Sequence, residues 1–188
     1  RGWHTATRLS NDRIMIVGGA QIGKARTITL SSTFQLIPTK SDYTSINIVP
    51  WKTLASARAG HTATILANNY ILITGGMLAK DFFSPQNTLN SMELFNENGE
   101  QKSLTVKLSN ARAFHSATKL EDGRVLIFGG LGSETTTVGK AEIFHPDIVQ
   151  GIRANPRILD HRKNRFFHSA TFMSNGSVVM LGGVTLTG

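Results

Sequence analysis

The sequence predicts an all-β protein assembled from repeated four-stranded antiparallel units. Three observations carry that expectation. Arg1, Arg58, Arg112 and Arg165 each stand three residues before a histidine, and His4, His61, His115 and His168 each open a His-Thr/Ser-Ala-Thr tetrapeptide. A Gly-Gly pair begins fourteen residues after every one of these histidines, at Gly18, Gly75, Gly129 and Gly182, so the copies lie 57, 54 and 53 residues apart. Between these fixed points the chain reads as short segments with strand patterning separated by turn residues.

Each element follows from its residues. In HSATKL at 115–120, Ser116, Thr118 and Leu120 alternate with His115, Ala117 and Lys119, the period-two pattern of a first strand. Asn11-Asp12, Asn68-Asn69, Asp122-Gly123 and Asn175-Gly176 follow, pairs that tolerate the positive φ of a tight hairpin turn. The second strand is a nearly continuous apolar run, IMIV, ILIT, VLIF or VVML, as expected of a strand covered on both faces. Gly-Gly closes it, where missing Cβ atoms permit a sharp exit or the close approach of a neighbouring backbone. After a connection of variable length comes a third strand, TFQLI at 33–37, SMELF at 91–95 and KAEIF at 140–144. SINIV at 45–49 and SLTVKL at 103–108 read as a fourth strand; in the third copy only GIRANPRIL is available, and Pro156 argues for an edge or a loop there. The units are therefore 1–57, 58–111 and 112–164, with a first and second strand alone at 165–188.

Units of this kind, repeating every ~50 residues, point to a β-propeller rather than a sandwich, because one such sheet cannot bury both of its faces alone. The Arg-x-x-His-Thr/Ser-Ala-Thr stretch and the Gly-Gly pair after an apolar strand resemble the kelch-like repeats of bacterial proteins, over essentially the whole chain. That resemblance implies a kelch-type β-propeller of about three and a half four-stranded blades, part of a larger ring of six or seven; a split propeller completed by a second chain or a second copy, and a small four-bladed ring, are the other arrangements open. The chain departs from the wider kelch pattern where Phe95 and Phe144 replace a usual tyrosine and where Trp51 stands out of register with the usual tryptophan. An open arc is expected to bare the apolar face of its last blade.

Composition narrows the function classes. With 40% hydrophobic and 17% charged residues the chain is that of a globular protein, and its longest apolar runs, four or five residues, fall far below the ~20 of a membrane-spanning helix. Zero cysteines exclude disulfides, thiolate metal sites and a cysteine nucleophile. The resemblance extends to galactose oxidase, a copper radical enzyme that needs a cysteine cross-linked to tyrosine; this chain has no cysteine and only Tyr43 and Tyr70, which excludes that activity for the segment. No Gly-x-Ser-x-Gly elbow, phosphate loop, paired-carboxylate signature or closely spaced metal-ligand motif occurs.

A net charge of +8 would suit an acidic partner, but four of the arginines belong to the repeat. The repeat residues Arg58, His61, Gly75, Gly76, Arg112, His115, Gly129, Gly130, Arg165, His168, Gly182 and Gly183 are read as structural: equivalent positions in successive blades do not converge on one ion, and the arginines are suited to clamping carbonyls or an acid such as Glu93 or Glu142. Where the copies disagree, two segments stand out. Met77 to Asn90 carries adjacent Phe82 and Phe83, candidate anchors for a partner, and 151–165 gathers Arg153, Arg157, Arg162 and Lys163 as a candidate docking patch. Lacking interleaved aromatics, that patch is a poor nucleic-acid platform. Asn175-Gly176-Ser177 matches a glycosylation acceptor but is also the expected turn pair. The expected function is a non-enzymatic interaction or scaffold module without a cofactor, its partner a protein, a glycan or the remaining blades of the same propeller. The alternative is a segment of a carbohydrate-active enzyme whose catalytic groups lie on other blades. The compartment stays open, leaning to an extracytoplasmic or cell-surface one.

Overall fold

The computed structural model describes residues 1–23, 27–39, 45–78, 87–133, 137–146, 152–153 and 164–186. Among them there is no α-helix, and every pairing between strands is antiparallel. The first sheet contains β1 (Thr5–Arg8), β2 (Ile14–Val17), β5 (Ser32–Pro38) and β6 (Ile46–Thr53) in the order β1-β2-β5-β6. Between β2 and β5 the chain makes a separate hairpin of β3 (Ala20–Ile22) and β4 (Thr27–Thr29). The second sheet is β7 (Thr62–Ile65), β8 (Ile71–Thr74), β9 (Met92–Phe95) and β10 (Gln101–Lys102), again in sequence order. The third is β11 (Ser116–Lys119), β12 (Val125–Phe128), β13 (Glu142–Phe144) and β14 (Ile152–Arg153). The last pairs β15 (Phe166–Phe172) with β16 (Val178–Val184). None of these sheets closes on itself.

Register is the same in each copy. Thr5 faces Val17, Thr62 faces Thr74, Ser116 faces Phe128 and Ser169 faces Leu181 across the first ladder. The intervening turns use the left-handed region at Asp12 (φ 61°), Asn69 (φ 60°), Gly123 (φ 82°) and Gly176 (φ 83°), the residue types that bear it most cheaply. At the third such turn the Asp122 carboxylate accepts from the Arg124 amide at 3.1 Å, and the same Asx closure recurs from Asn175 to Ser177.

The core lies between sheets. One cluster joins Leu9, Met15, Val17 and Leu54 of the first unit to Ile71, Ile73 and Phe95 of the second. Another joins Leu66, Leu72, Met92, Leu94 and Leu108 of the second to Val125, Ile127 and Phe144 of the third. A two-faced sheet with an apolar run for its second strand needs such a neighbour on each side, and β8 is accordingly buried throughout. Trp51 lies in β6 and meets the Phe95 ring edge-on at 5.6 Å, so it bridges two units.

The fourth strand differs from the expectation. In the second unit it is Gln101–Lys102, and 103–108 is not a strand at all. The alternation of Leu104, Val106 and Leu108 reflects packing of an extended segment over the core between sheets: Leu108 is buried there, Leu104 and Val106 lie against it, and the Leu108 amide donates to the Asn90 carbonyl outside any ladder. In the third unit the strand is Ile152–Arg153.

Candidate functional site

The recurring polar residues meet at the junctions between sheets. Arg58 is buried with every N–H engaged: Nη1 donates to the carbonyls of Gly75 (2.7 Å) and Ser91 (3.2 Å), Nη2 to Ser91 Oγ (3.1 Å) and Glu93 Oε1 (2.7 Å), and Nε to the Ser56 carbonyl (3.3 Å). Arg112 repeats this with Gly129, Lys140, Glu142 and Asn110, its Nη2 to Glu142 Oε1 distance being 2.5 Å. The carboxylates are fixed in turn. Glu93 accepts from the Ala55 amide at 2.9 Å, and Glu142 from the Ser109 amide at 2.7 Å and the Ser109 hydroxyl at 3.0 Å. Burial pushes both guanidinium groups below their ordinary range, and the adjacent glutamates oppose that. Each pair thus ties one sheet's Gly-Gly exit and third strand to the connection that enters the sheet. The first unit has Gln35 in place of the acid; Arg1 donates to the Gly18 carbonyl at 3.0 Å and to Ser32 Oγ at 3.2 Å, and Arg165 donates to the Gly182 carbonyl at 2.7 Å.

The histidines cross the junctions. His61 Nε2 meets Thr5 Oγ1 of the preceding sheet at 3.2 Å, His115 Nε2 meets Thr62 Oγ1 at 3.1 Å and Thr74 Oγ1 at 2.9 Å, and His168 Nε2 meets Ser116 Oγ at 2.8 Å. Burial, reinforced by the Arg58 charge, pushes His61 down to about 3. His115 lies well below its ordinary value for the same reasons, with Arg112 as the nearby cation, and burial followed by the Arg165 charge lowers His168. All three are neutral imidazoles at physiological pH, suited to a hydrogen bond with a hydroxyl; His61 and His115 are held away from solvent, while His168 is partly exposed.

The glycines make room for these contacts. Gly19, Gly76 and Gly130 donate their amides to the carbonyls of Arg58, Arg112 and Arg165 of the next unit at 2.8, 2.9 and 2.9 Å. The glycine before each, at positive φ, lies under the incoming imidazole: a Cβ on Gly129 would stand 2.8 Å from His168 Cε1. One further position escaped sequence reasoning. The residue before each histidine is left-handed, at Trp3 (φ 51°), Gly60 (φ 63°), Phe114 (φ 57°) and Phe167 (φ 56°). Its backbone forms a line of bonds from Gly60 N to Trp3 O, Phe114 N to Gly60 O and Phe167 N to Phe114 O. Gly60 was the available signal, because only its residue type advertises positive φ. The hydroxyl that follows each histidine was likewise visible as a recurring Thr or Ser, but the sequence does not show that it is the hydrogen-bond partner of the next copy's histidine.

Phe82, Phe83, Arg157, Arg162 and Lys163 lie outside the described residues, and Arg153 is placed only as part of β14. Among the described residues, two clefts can be placed against the frame. One of about 350 Å³ is lined by Ser56, Arg58, Ser91, Glu93, Gln101 and Lys102, but its ion pair is already saturated by the bonds above. The other, about 360 Å³, lies between hairpin turns and is lined by Glu121, Asp122, Arg124 and Phe172. Among the described residues no group of three His, Asp or Glu side chains could hold a metal ion, and no helix is long and apolar enough to cross a membrane.

Fold and junctions together define an all-β repeat protein whose consecutive antiparallel sheets are joined by buried Arg–Glu and His–hydroxyl contacts. No family model matches the chain. It is 40% identical over 76 residues to the tRNA wybutosine-synthesizing protein 4 of Saccharomyces cerevisiae, a match that covers 40% of this chain and 10% of the yeast protein.

Proposed function

We propose that the chain is a segment of a kelch-type β-propeller, its sheets being the blades, and that it serves as a non-enzymatic interaction module. The observation that carries this reading is where the recurring chemistry goes. Arg58, Arg112, His61, His115, Glu93 and Glu142, which would be the first candidates for catalysis, are buried and engaged in the junctions, with Arg58 using all five of its N–H groups. What varies between copies is the connections, and a rigid frame carrying variable connections is the economy of a recognition protein. Its partner is a protein or a glycan, met through the segments around Phe82, Phe83 and Arg153 to Lys163. The yeast likeness spans too little of that protein to bring its activity here.

The test is a glycan array and a displayed-peptide library probed with the chain and with two variants, one replacing 79–86 by a Gly-Ser linker and one carrying Arg157→Glu, Arg162→Glu and Lys163→Glu. Binding that is lost in a variant whose melting temperature is unchanged supports the reading. Turnover of a sugar substrate by the unaltered chain overturns it in favour of an enzyme, and a ligand retained by both variants removes these segments as the contact surface.

A further inference from the structure

Beside the joint between the first and second sheets, the outer strand of the second sheet stops short. β10 pairs Gln101 with Phe95 and Lys102 with Leu94, and the chain then leaves β9. It returns only at Leu108, whose amide donates to the Asn90 carbonyl at 2.9 Å. The first sheet closes the same place, since β6 runs on until Thr53 lies opposite Ser32, and its Lys52 amide donates to Thr33 Oγ1 at 2.9 Å.

What the departure leaves open is the outer edge of β9. The Gly75 amide donates to the Ser91 carbonyl at 3.1 Å, so Ser91 turns its backbone groups towards β8, and alternation along an antiparallel strand turns those of Met92 the other way. Leu94, two residues on, uses that side to pair with Lys102, and Asn90, two residues back, uses it to take the Leu108 amide. Between them, Met92 has no backbone partner on that side among the described residues, although the residue is only 7% exposed. Buried backbone groups are almost always paired. Met92 lines the cleft of about 350 Å³, together with Ser56, Gln101, Lys102 and Ser103. The Lys102 ammonium stands 5.6 Å from the Tyr70 ring centre and forms no ion pair among the described residues.

We propose that this cleft takes a short extended segment of a partner protein, which pairs with Met92 in the place that the chain's own fourth strand vacates. A backbone is the fitting occupant because the open edge offers an N–H and a C=O on one residue, and one residue of an antiparallel strand answers both at once. The flanking Ser56 and Ser103 are small and leave room for the segment's side chains. An acidic residue beside Lys102 completes the match, in a chain whose net charge is +8. Every residue of the cleft lies between the first and third sheets, so both of its walls belong to the interior of the stack. The contact goes beyond the recognition role proposed above, which uses other segments, and it is tested apart from them.

The probe is a displayed library of linear peptides selected on the unaltered chain, with backbone amides followed by NMR. In the free chain the Met92 amide should exchange with solvent faster than the Leu94 amide. A selected peptide should slow that exchange, shift the Met92 resonance, and lose affinity about tenfold when its residue opposite Met92 is N-methylated. Ser103→Trp, at an exposed position, narrows the cleft and should weaken the peptide by a similar factor at an unchanged melting temperature. Lys102→Glu should turn the preference from acidic to basic peptides, and it carries the test should Ser103→Trp lose its fold. A Met92 amide as protected as that of Leu94 in the free chain overturns the proposal, as does a library that yields no peptide shifting the Met92 resonance. Peptides bound equally well by both variants overturn it too. Binding that is lost on replacing 79–86 but untouched by Ser103→Trp supports the loop contact and overturns this one.

Discussion

Lowering the pH from about 7.5 to about 5 should destabilise the fold through its buried imidazoles. His61 has an ordinary value of 6.5 that burial and Arg58 lower to about 3, so the unfolded chain binds a proton in this range and the folded chain refuses it. Its stabilising contribution is complete above 6.5 and is lost as the pH falls from 6.5 towards 3. At about pH 5 the deficit spans ~1.5 pH units, which at ~1.36 kcal/mol per unit amounts to about 2 kcal/mol from His61 alone. His115, lowered well below its ordinary value and almost as fully enclosed, acts with the same sign, and His168 adds to it. Denaturant unfolding followed by tryptophan fluorescence at a series of pH values reads the effect. His61→Gln, which keeps a polar group towards Thr5, should reduce the slope of stability against pH by about 1.4 kcal/mol per unit between pH ~6 and ~5, whatever it costs at neutral pH. A free energy of unfolding that is flat over this window, or a His61→Gln variant with the original slope, would refute the reasoning. So would an NMR titration in which the His61 ring protonates near its ordinary value in the folded protein.

Three sets of substitutions probe the other parts of the joint. Glu142→Ala strands the Arg112 guanidinium, which has no exposure, and should cost about 3–5 kcal/mol by chemical denaturation; replacing both partners, Arg112→Met with Glu142→Leu, should cost far less because no buried charge is left alone. Gly129→Ala should be much more damaging than Gly176→Ala: both residues have positive φ, worth roughly 1–2 kcal/mol of backbone strain, but only at Gly129 does the new methyl also meet the Arg165 carbonyl and the His168 ring. Equal losses in the two melting curves would remove close packing at the joint from the account. Ser116→Ala takes the hydroxyl from His168 and should lower stability by about 1 kcal/mol, measured by the same unfolding titration.

Much of the frame is legible in the residues because each of its parts has a strict requirement. The runs at 14–17, 71–74 and 125–128 became strands to the residue: each ends at Gly-Gly, and the one polar side chain in them, Thr74, is buried with its hydroxyl bonded to Thr62 and His115. The turns were readable because Asn, Asp and Gly bear positive φ. The outer strand of the second unit was misplaced because period-two alternation reports a side that packs and a side that does not; an extended segment lying on the core, as Leu104 to Leu108 does, writes the same pattern as a paired strand. The β3–β4 hairpin falls in the connection whose length and residues vary between copies; its root pairing, Ala20 with Thr29, recurs as the bridges Met77–Thr88 and Leu131–Thr137, but no shared residue pattern in the sequence marks it. Trp3, Phe114 and Phe167 were opaque for a different reason. Their left-handed backbone is imposed by the hydrogen-bonded line that crosses the sheets, and nothing in a tryptophan or phenylalanine side chain announces it. The acidic partners of Arg58 and Arg112 could be nominated from sequence, whereas the hydroxyl that meets each histidine lies 52 to 56 residues away and needed the register of two sheets to be known.

Placing the apolar clusters between sheets has a mechanical consequence. A sheet here has no private core, so its cohesion is borrowed from the sheets beside it, and the protein behaves as a stack whose strength resides in its seams. The second and third sheets are clasped on both sides; the fourth is clasped on one. Force or heat applied to such a stack should therefore open it at a seam rather than within a sheet, and loosening one seam weakens the sheets on both sides of it.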